Sequence, residues 1–361
     1  MKLLYITNGI NGSGGLERVL SVKASALAED YGYEVCILCL NDAHLNPFYS
    51  FSPKIKMLSI VASGNPISYF KQYKQGIQKV VDEFQPVVIS VCDDGLKGFF
   101  IPQFLKTKAK IIYERHVSKL IEARDGQSLL KKTATKGKWF LMEQLAQRFS
   151  KFVVLTEGNK KEWKSLQNMM VIANPLSFYP EESSSLENKK VICVGKISYQ
   201  KGQDILLEAW NVVHEKHPDW KLELYGKAND AFLKVQNLEG KNVFYFPPEK
   251  NIEEKYLQSS VYVMSSRFEG FGMVLIEAMA CGVPCVSFDC DYGPSDIITD
   301  GEDGFLVEKE NEMQLADKIL FLIENEELRK GFGQKAKENS KRYSVSEIVQ
   351  QWDDLFKKLV K

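Results

Sequence analysis

Two acidic residues and two glycines that could bind a ligand stand together in residues 265–283, Ser-Arg-Phe-Glu-Gly-Phe-Gly-Met-Val-Leu-Ile-Glu-Ala-Met-Ala-Cys-Gly-Val-Pro. The pattern predicts a strand, a glycine-containing loop and then a helix over 273–280, with Glu269 before the helix and Glu277 one turn inside it. Anions bind at such a helix start, because its first backbone N–H groups lack intrahelical partners. The loop and helix start comprise Gly270, Phe271, Gly272, Met273 and Val274.

Carboxylates on either side of an anion site can accept hydrogen bonds from hydroxyl groups. The stretch therefore fits a ligand that carries a phosphate between two polyols, which is the layout of a nucleotide sugar. Each acid taken singly has a plainer interpretation. Glu269 also fits an ordinary surface acid, and Glu277 fits a first-turn acid stabilised by the helix dipole.

Two further glycine-containing loops follow predicted strands and open predicted helices. In Val194-Gly-Lys-Ile-Ser-Tyr-Gln-Lys-Gly202, Gly195 is followed by Lys196 and Lys201, which can converge on a diphosphate. In Asn8-Gly-Ile-Asn-Gly-Ser-Gly-Gly-Leu-Glu-Arg18, the glycines, Gly14 and Gly15 among them, permit close backbone approach to a ligand. This last loop is neither a Walker loop nor a complete GxGxxG fingerprint. Solvated lysines and a mobile loop are the alternatives for these two segments.

The elements that must position these loops are short β-branched runs alternating with amphipathic segments. Strands are predicted over 3–7, 34–40, 87–91, 110–113, 152–155, 190–194, 221–225, 243–246, 261–265 and 285–288, and helices over 17–30, 69–84, 137–149, from 157, 203–216 and 273–280. Such alternation predicts an α/β fold with parallel sheets. The proline- and serine-containing stretch 173–185 predicts a linker between two Rossmann-like domains, 1–172 and 186–343. Because open parallel sheets bind ligands beyond the carboxyl ends of their strands, we expect the domains to face each other across a cleft.

Charge is distributed unevenly along the 361 residues, although the net charge is zero. Residues 1–172 hold 24 basic and 15 acidic side chains, and residues 96–164 alone hold 16 basic and 6 acidic ones, interleaved with aromatic residues. No nucleic-acid-binding motif accompanies this basic region, so nucleic acid is not expected as a partner. The chain has no apolar run long enough for a signal-peptide core or a membrane span, and its seven cysteines fit a reducing compartment, which together predict a cytoplasmic protein.

Four motifs together resemble glycosyltransferase family 4, the retaining group with the GT-B fold. They are Gly14-Gly-Leu-Glu-Arg18, Gly195-Lys196 to Lys201-Gly202, Glu269-Gly-Phe-Gly-Met-Val-Leu-Ile-Glu277 and Gly293-Pro-Ser-Asp-Ile-Ile298. The resemblance covers nearly the whole chain and is very specific from Lys190 to Val307. Within the family, the sequence is most similar to bacterial enzymes of capsular or exopolysaccharide assembly of the amylovoran type.

The resemblance implies a role for each matching residue. Glu269 and Glu277 match the E-x7-E motif, in which the first glutamate lies near the hydroxyls of the donor sugar and the second near the ribose. Lys196 and Lys201 match the basic pair that holds the diphosphate, although the first is commonly Arg in the family. Gly14 and Gly15 match the loop that closes on the phosphate and the acceptor. No metal and no cofactor are expected, in keeping with the lack of a His/Cys/Asp cluster at ligand spacing in the sequence.

The family often has a histidine facing the donor sugar, just after a strand of the first domain. Here that place reads Ile112-Tyr-Glu-Arg-His-Val117, and either Arg115 or His116 can occupy the critical position. We expect His116 to act at the active site, with a structural histidine as the alternative. The resemblance also implies that the C-terminal helix, within 344–361, packs back on the first domain.

The implied reaction is transfer of a hexose from a nucleotide sugar, here expected to be UDP-linked, with retention of configuration. The expected acceptor is a glycan or lipid-linked oligosaccharide of surface polysaccharide, such as capsule or lipopolysaccharide. The basic region 96–164 fits an anionic membrane surface, so the protein is expected to be peripheral on the inner face of the cell membrane. A solvated charged face is the alternative for that region. The remaining functional alternatives are a sugar-phosphate synthase acting on a soluble acceptor and a non-catalytic sugar-binding protein.

Overall fold

The chain forms two compact units in a computed structural model that describes residues 1–42, 46–122, 129–228 and 240–361. Unit 1 comprises Met1–Pro175 and Val345–Lys361, and unit 2 comprises Leu176–Ser344. Each unit is an α/β domain around one parallel sheet, as the alternation of strands and helices in the sequence predicts.

Unit 1 contains, among its described residues, a seven-stranded sheet in the order β3-β2-β1-β4-β5-β6-β7. The strands are β1 Lys2–Thr7, β2 Glu34–Leu40, β3 Lys56–Ile60, β4 Val88–Cys92, β5 Lys110–Glu114, β6 Lys151–Val154 and β7 Met169–Val171. The helices are α1 Gly15–Glu29, α2 Pro66–Phe84, α3 Leu96–Phe99, α4 Ile101–Phe104, α5 Leu129–Ala146 and α6 Glu157–Lys160. Every pairing between neighbouring strands is parallel.

Unit 2 contains, over the same described ranges, a six-stranded sheet in the order β10-β9-β8-β11-β12-β13. The strands are β8 Lys190–Val194, β9 Lys221–Tyr225, β10 Val243–Phe246, β11 Val261–Met264, β12 Cys285–Phe288 and β13 Gly304–Val307. The helices are α7 Gln203–Lys216, α8 Ile252–Leu257, α9 Met273–Ala280, α10 Pro294–Ile297, α11 Glu312–Glu324 and α12 Glu326–Ser340. The pairings are again parallel.

The last helix, α13 Val345–Val360, belongs to unit 1 although it follows unit 2 in the chain. Its apolar face contributes Val349, Trp352 and Phe356 to the same core as α1 and β1. The Tyr33 hydroxyl donates a 2.7 Å hydrogen bond to the buried carboxylate of Asp353. Apolar burial and this polar contact together fix α13 on unit 1.

The units change at Pro175 and Leu176, within the stretch 173–185 for which the sequence predicts a linker. From Leu176 onward this stretch packs into unit 2, because the Leu176 side chain is buried and its N–H bonds to the Tyr343 carbonyl at 2.7 Å. The buried Ser184 hydroxyl donates to the Ser259 carbonyl at 2.6 Å. The prolines of this stretch disfavour a helix, and the buried contacts of Leu176 and Ser184 fix the chain on unit 2.

Candidate functional site

The carboxyl ends of β8 and β11 bring two of the predicted residues into direct contact in unit 2. The Lys201 ammonium lies 2.6 Å from a carboxylate oxygen of Glu269, and the Ser266 hydroxyl donates to the same oxygen at 2.5 Å. The Glu269 side chain is 6% exposed, whereas the Lys201 side chain is 21% exposed. Lys201 and Ser266 therefore hold the Glu269 carboxylate in place, while part of the Lys201 side chain remains exposed. Lys196, from the same loop, is exposed.

Glycines allow the loops that carry this pair to approach their neighbours closely. Gly202 has φ +61°, and a Cβ atom there would lie 2.0 Å from the Ser265 carbonyl oxygen. Gly293 has φ +118°, and a Cβ atom there would lie 1.9 Å from the Phe271 carbonyl oxygen. Any larger residue would push apart the loops after β8, β11 and β12, so these glycines fix the site by their lack of a side chain.

The start of α9 follows Glu269 closely in the sequence and has the backbone geometry that can bind an anion. Gly272 precedes the helix in the left-handed conformation, at φ +100°, so the N–H groups of Met273 and Val274 begin the first turn without intrahelical acceptors. Met273 and Val274 are half-buried, whereas the Phe271 ring is buried and lies 5.6 Å from the Tyr343 ring, centroid to centroid. The Phe271 ring therefore packs into the protein and supports the loop, so only its backbone atoms can contact a ligand.

Glu277, the second acid of the sequence motif, lies inside the protein, with 1% of its surface exposed. The Ser177 hydroxyl donates to its carboxylate at 2.9 Å, and the Tyr256 hydroxyl is 3.5 Å away. The carboxylate thus ties the start of unit 2 to α9, a structural contact that its position in the sequence does not reveal.

Arg267 is a residue that the sequence analysis did not single out. Its guanidinium makes two hydrogen bonds to Asp204, at 2.9 and 2.7 Å, a third to Glu310 at 2.5 Å and a fourth to the Tyr199 carbonyl at 2.7 Å. The hydrogen bonds that Arg267 donates to Asp204 raise the pKa of Arg267 further above its usual range. This fork holds the turn that carries Lys201. The sequence signal that points to Arg267 is its position close to Glu269, in the loop that follows β11.

In unit 1, the glycine-rich loop that contains Gly14 and Gly15 is exposed and leads into α1. Asp42 holds the loop, because its carboxylate accepts hydrogen bonds from the Ile10 N–H at 3.1 Å and from the Asn11 amide. The Tyr49 hydroxyl donates to the Ser13 carbonyl at 3.0 Å. The loop therefore has defined anchors in addition to its glycines.

The two candidates at the end of β5 point to different partners. Arg115 donates to the Asp94 carbonyl at 3.0 Å and is 3% exposed. His116 instead lies with its Nε2 atom 3.2 Å from the Glu114 carboxylate, and its buried Nδ1 atom has no hydrogen-bond partner among the described residues. Each candidate therefore has one buried nitrogen without a partner among the described residues, Nε of Arg115 and Nδ1 of His116, and only the second can accept a hydrogen bond.

Glu114 also binds the ammonium of Lys23 from α1 and accepts a 2.5 Å hydrogen bond from the Ser90 hydroxyl. Burial by itself raises the pKa of the Glu114 carboxyl, but the Lys23 charge and the hydrogen bonds from His116 and Lys23 bring it down to about 2. Cys92 lies close by, so that one ligand-type atom from each of Cys92, Glu114 and His116 falls within 4.8 Å of the others. The sequence spacing does not reveal this cluster. The Lys23 ammonium already supplies a positive charge there.

A second group of polar residues that the sequence analysis did not single out lies at the ends of β1 and β4. The buried Asp93 carboxylate accepts from the Asn8 amide at 3.0 Å and lies 3.0 Å from the Lys97 ammonium. Lys97 also donates to the Asn8 side-chain oxygen at 2.5 Å. The lysine is therefore tied to the glycine-rich loop. The fold brings Asn8 to Asp93 and Lys97, which lie 85 and 89 residues later in the chain.

The basic region 96–164 contains α5, which has large apolar side chains on its surface. Leu130 is 84% exposed, Phe140 66% and Leu141 39%. At 100° per residue these three lie on one face, and lysines flank that face; they are Lys131, Lys136 and Lys138. Within the described ranges, no helix is both long enough and apolar enough to cross a bilayer.

The chain thus has two α/β domains with parallel sheets, and the second carries the Lys201–Glu269 pair and a glycine-capped helix start. Residues 178–339 match the family model described as "Glycosyl transferases group 1". The chain is 31% identical to the amylovoran biosynthesis glycosyltransferase AmsD of Erwinia amylovora, over 98% of this chain and 99% of the relative. It is 30% identical to an uncharacterized glycosyltransferase of Haemophilus influenzae, over 97% and 98%. The chain belongs to the group 1 glycosyltransferases.

The fold has a close counterpart among solved structures. A mutant of S. aureus TarM, crystallised with fondaparinux, α-GlcNAc-glycerol and UDP, matches with a TM-score of 0.79 at 18% identity, over 99% of this chain and all of that chain. This likeness confirms the GT-B fold expected from the sequence motifs.

Proposed function

We propose that this protein is a retaining hexosyltransferase that takes a sugar from a UDP-sugar and transfers it to a glycan or lipid-linked acceptor in surface polysaccharide biosynthesis. The partly exposed Lys201 side chain, whose ammonium lies 2.6 Å from the buried Glu269 just before α9 in the chain, carries the proposal. The UDP found with the S. aureus counterpart and the amylovoran biosynthesis named for the E. amylovora relative support the choice of donor and pathway class.

In the proposed reaction, the bond between the anomeric carbon of the sugar and the diphosphate oxygen breaks. Lys196, Lys201 and the first N–H groups of α9 stabilise the negative charge that develops on the diphosphate. The leaving diphosphate takes the proton of the acceptor hydroxyl, whose oxygen bonds to the anomeric carbon from the same face, so configuration is retained. Glu269 and His116 orient the sugar by hydrogen bonds. Because the two lysines and the N–H groups of α9 stabilise the charge on the diphosphate, we expect activity without a divalent metal.

The test is a panel of UDP-, GDP- and ADP-sugars with the full chain in the presence of a chelator, in which donor affinity and nucleotide release are both measured. We expect UDP-sugars to bind and to be turned over, and Glu269→Gln to reduce turnover about 10²-fold. The matched control is Glu302→Gln, because Glu302 lies in the same unit and is 63% exposed. Failure of the wild-type chain to bind any of these donors would refute the proposal.

We also propose that α5 places unit 1 on an anionic membrane surface. Leu130, Phe140 and Leu141 would enter the interface, and the flanking lysines would lie among the lipid headgroups, where each contributes about 1 kcal/mol. Sedimentation with vesicles tests this. Binding should require anionic lipid and should fall in Phe140→Ser but not in Phe244→Ser, which changes an exposed phenylalanine of unit 2. Equal binding of both variants would exclude α5 as the contact.

A further inference from the structure

A buried ion pair in unit 1 contacts His116, the candidate active-site histidine. Lys23 from α1 and Glu114 from the end of β5 are in contact, with side chains 1% and 2% exposed. The Lys23 ammonium is also surrounded by aromatic rings, since it lies 4.0 Å from the Trp352 ring centroid and 5.2 Å from that of Tyr5. Burying two charges is unfavourable unless they are paired and hydrogen-bonded, so such a pair calls for an explanation beyond packing.

Glu114 has donors on both of its oxygens. Ser90 donates to Oε1 at 2.5 Å, Lys23 donates to Oε2, and the His116 Nε2 atom lies 3.2 Å from Oε2. The carboxyl is ionised, because the Lys23 ammonium is in direct contact with it and the Ser90 hydroxyl donates to its other oxygen. An ionised carboxylate can only accept hydrogen bonds. The hydrogen shared with His116 must therefore belong to Nε2.

This assignment determines what the other side of the ring can do. A neutral imidazole that carries its hydrogen on Nε2 has a lone pair on Nδ1. The His116 side chain is 6% exposed, and Nδ1 has no partner in the described part of the chain. Buried polar atoms usually have a partner, so an unpaired acceptor at the carboxyl end of a strand points to a ligand hydroxyl.

We propose that Glu114, held by Lys23 and Ser90, is a positioning residue that fixes His116 in the Nε2–H tautomer and so presents Nδ1 as an acceptor to a sugar hydroxyl. The sugar's identity as ligand rests on the proposed function. The tautomer does not, because it follows from contacts within unit 1. Lys23 keeps Glu114 ionised and in place, which explains why a lysine is buried in the middle of α1.

Two double variants provide a matched comparison without leaving a buried charge unpaired. Lys23→Met/Glu114→Leu removes both charges and the acceptor, whereas Lys23→Met/Glu114→Gln removes both charges but keeps a side-chain oxygen that can accept from Nε2. Both variants replace the pair with neutral groups of similar size, which buried sites often tolerate. They differ in whether an acceptor remains at position 114.

The first measurement is ¹⁵N NMR of the full chain labelled at histidine, with His116→Asn used to assign the signals among the four histidines. We expect the Nε2–H tautomer in the wild type and in the Gln variant, and a mixture of tautomers in the Leu variant. A wild-type ring that is Nδ1–H or mixed would overturn the proposal. So would a change of the His116 signals on adding one equivalent of Zn²⁺, because the Cys92–Glu114–His116 cluster would then be a metal site.

The second measurement separates this inference from the proposed function. With the UDP-sugar that the wild type uses, kcat should fall about 10–100-fold in the Leu variant, with KM for the donor nearly unchanged, and should be largely restored in the Gln variant. UDP affinity should be unchanged in both. Equal kcat values for the two variants would refute the positioning role. Failure of the wild type to bind UDP would refute the proposed function, while the tautomer measurement would still judge the contact of Glu114 with His116.

Discussion

Each unit has a lysine–glutamate pair near the carboxyl end of its sheet, but water reaches the two pairs differently. In unit 1 Lys23 and Glu114 are both almost fully buried, whereas in unit 2 Lys201 remains 21% exposed beside the buried Glu269. The first pair can act only on its protein neighbours, His116 and Ser90. The second leaves part of the lysine side chain exposed to solvent. In the roles proposed above, the same two residue types position a histidine in one unit and offer binding groups in the other.

Removing one lysine at a time tests this difference most strongly. We expect Lys23→Met to lower the free energy of unfolding by about 3–5 kcal/mol, because it leaves the Glu114 carboxylate buried and unpaired. Lys201→Met should cost about 1–2 kcal/mol, since its pair is reached by water and Ser266 still donates to Glu269. Urea unfolding of the full chain measures both, with Lys335→Met as an exposed control. Equal losses for Lys23 and Lys201 would remove the distinction.

Acid should weaken the buried pair of unit 1. The pKa of Glu114 is about 2 in the folded protein against an ordinary value of 4.5, so its ionisation favours the folded state above pH 4.5. This contribution, about 3 kcal/mol, should be lost as the pH falls from 4.5 towards 2. The unfolding free energy of Lys23→Met/Glu114→Leu should fall less steeply with pH than that of the wild type between these values. The difference in slope should correspond to the uptake of about one proton. If the unfolding free energies of the two proteins change in parallel with pH, the lowered pKa of Glu114 is wrong.

A smaller effect should come from the fork that supports the exposed pair. Arg267→Lys keeps the charge but loses the double contact with Asp204, so the turn that carries Lys201 becomes less well fixed. We expect donor affinity to fall about 5- to 10-fold, equivalent to about 1 kcal/mol, as measured by calorimetry with a UDP-sugar. The control is Arg148→Lys, at an exposed position of unit 1. Unchanged affinity would show that Lys201 is positioned without Arg267.

Much of the fold could be predicted from the sequence because its signals are local. Runs such as Glu34–Leu40 and Val243–Phe246 are strands where the β-branched and aromatic pattern places them, and the helix over Met273–Ala280 has the predicted bounds. The edge strands of the unit 1 sheet, Lys56–Ile60 and Met169–Val171, are not predicted from the sequence, since they are mostly half-buried and have weaker apolar patterns. Helix α5 begins at Leu129, before the predicted Gly137, because its exposed first turns lack an apolar period.

The sequence by itself determined the alternation of strands and helices, the glycine-containing loops that follow the strands, and the family motif from Glu269 to Glu277. These depend on periodicity and on backbone freedom, which neighbouring residues specify. Only the tertiary structure decided that Lys23 meets Glu114 across 91 residues and that Ser177 meets Glu277 across 100. Such contacts depend on the order of strands in a sheet and on side-chain direction, and no local pattern encodes either.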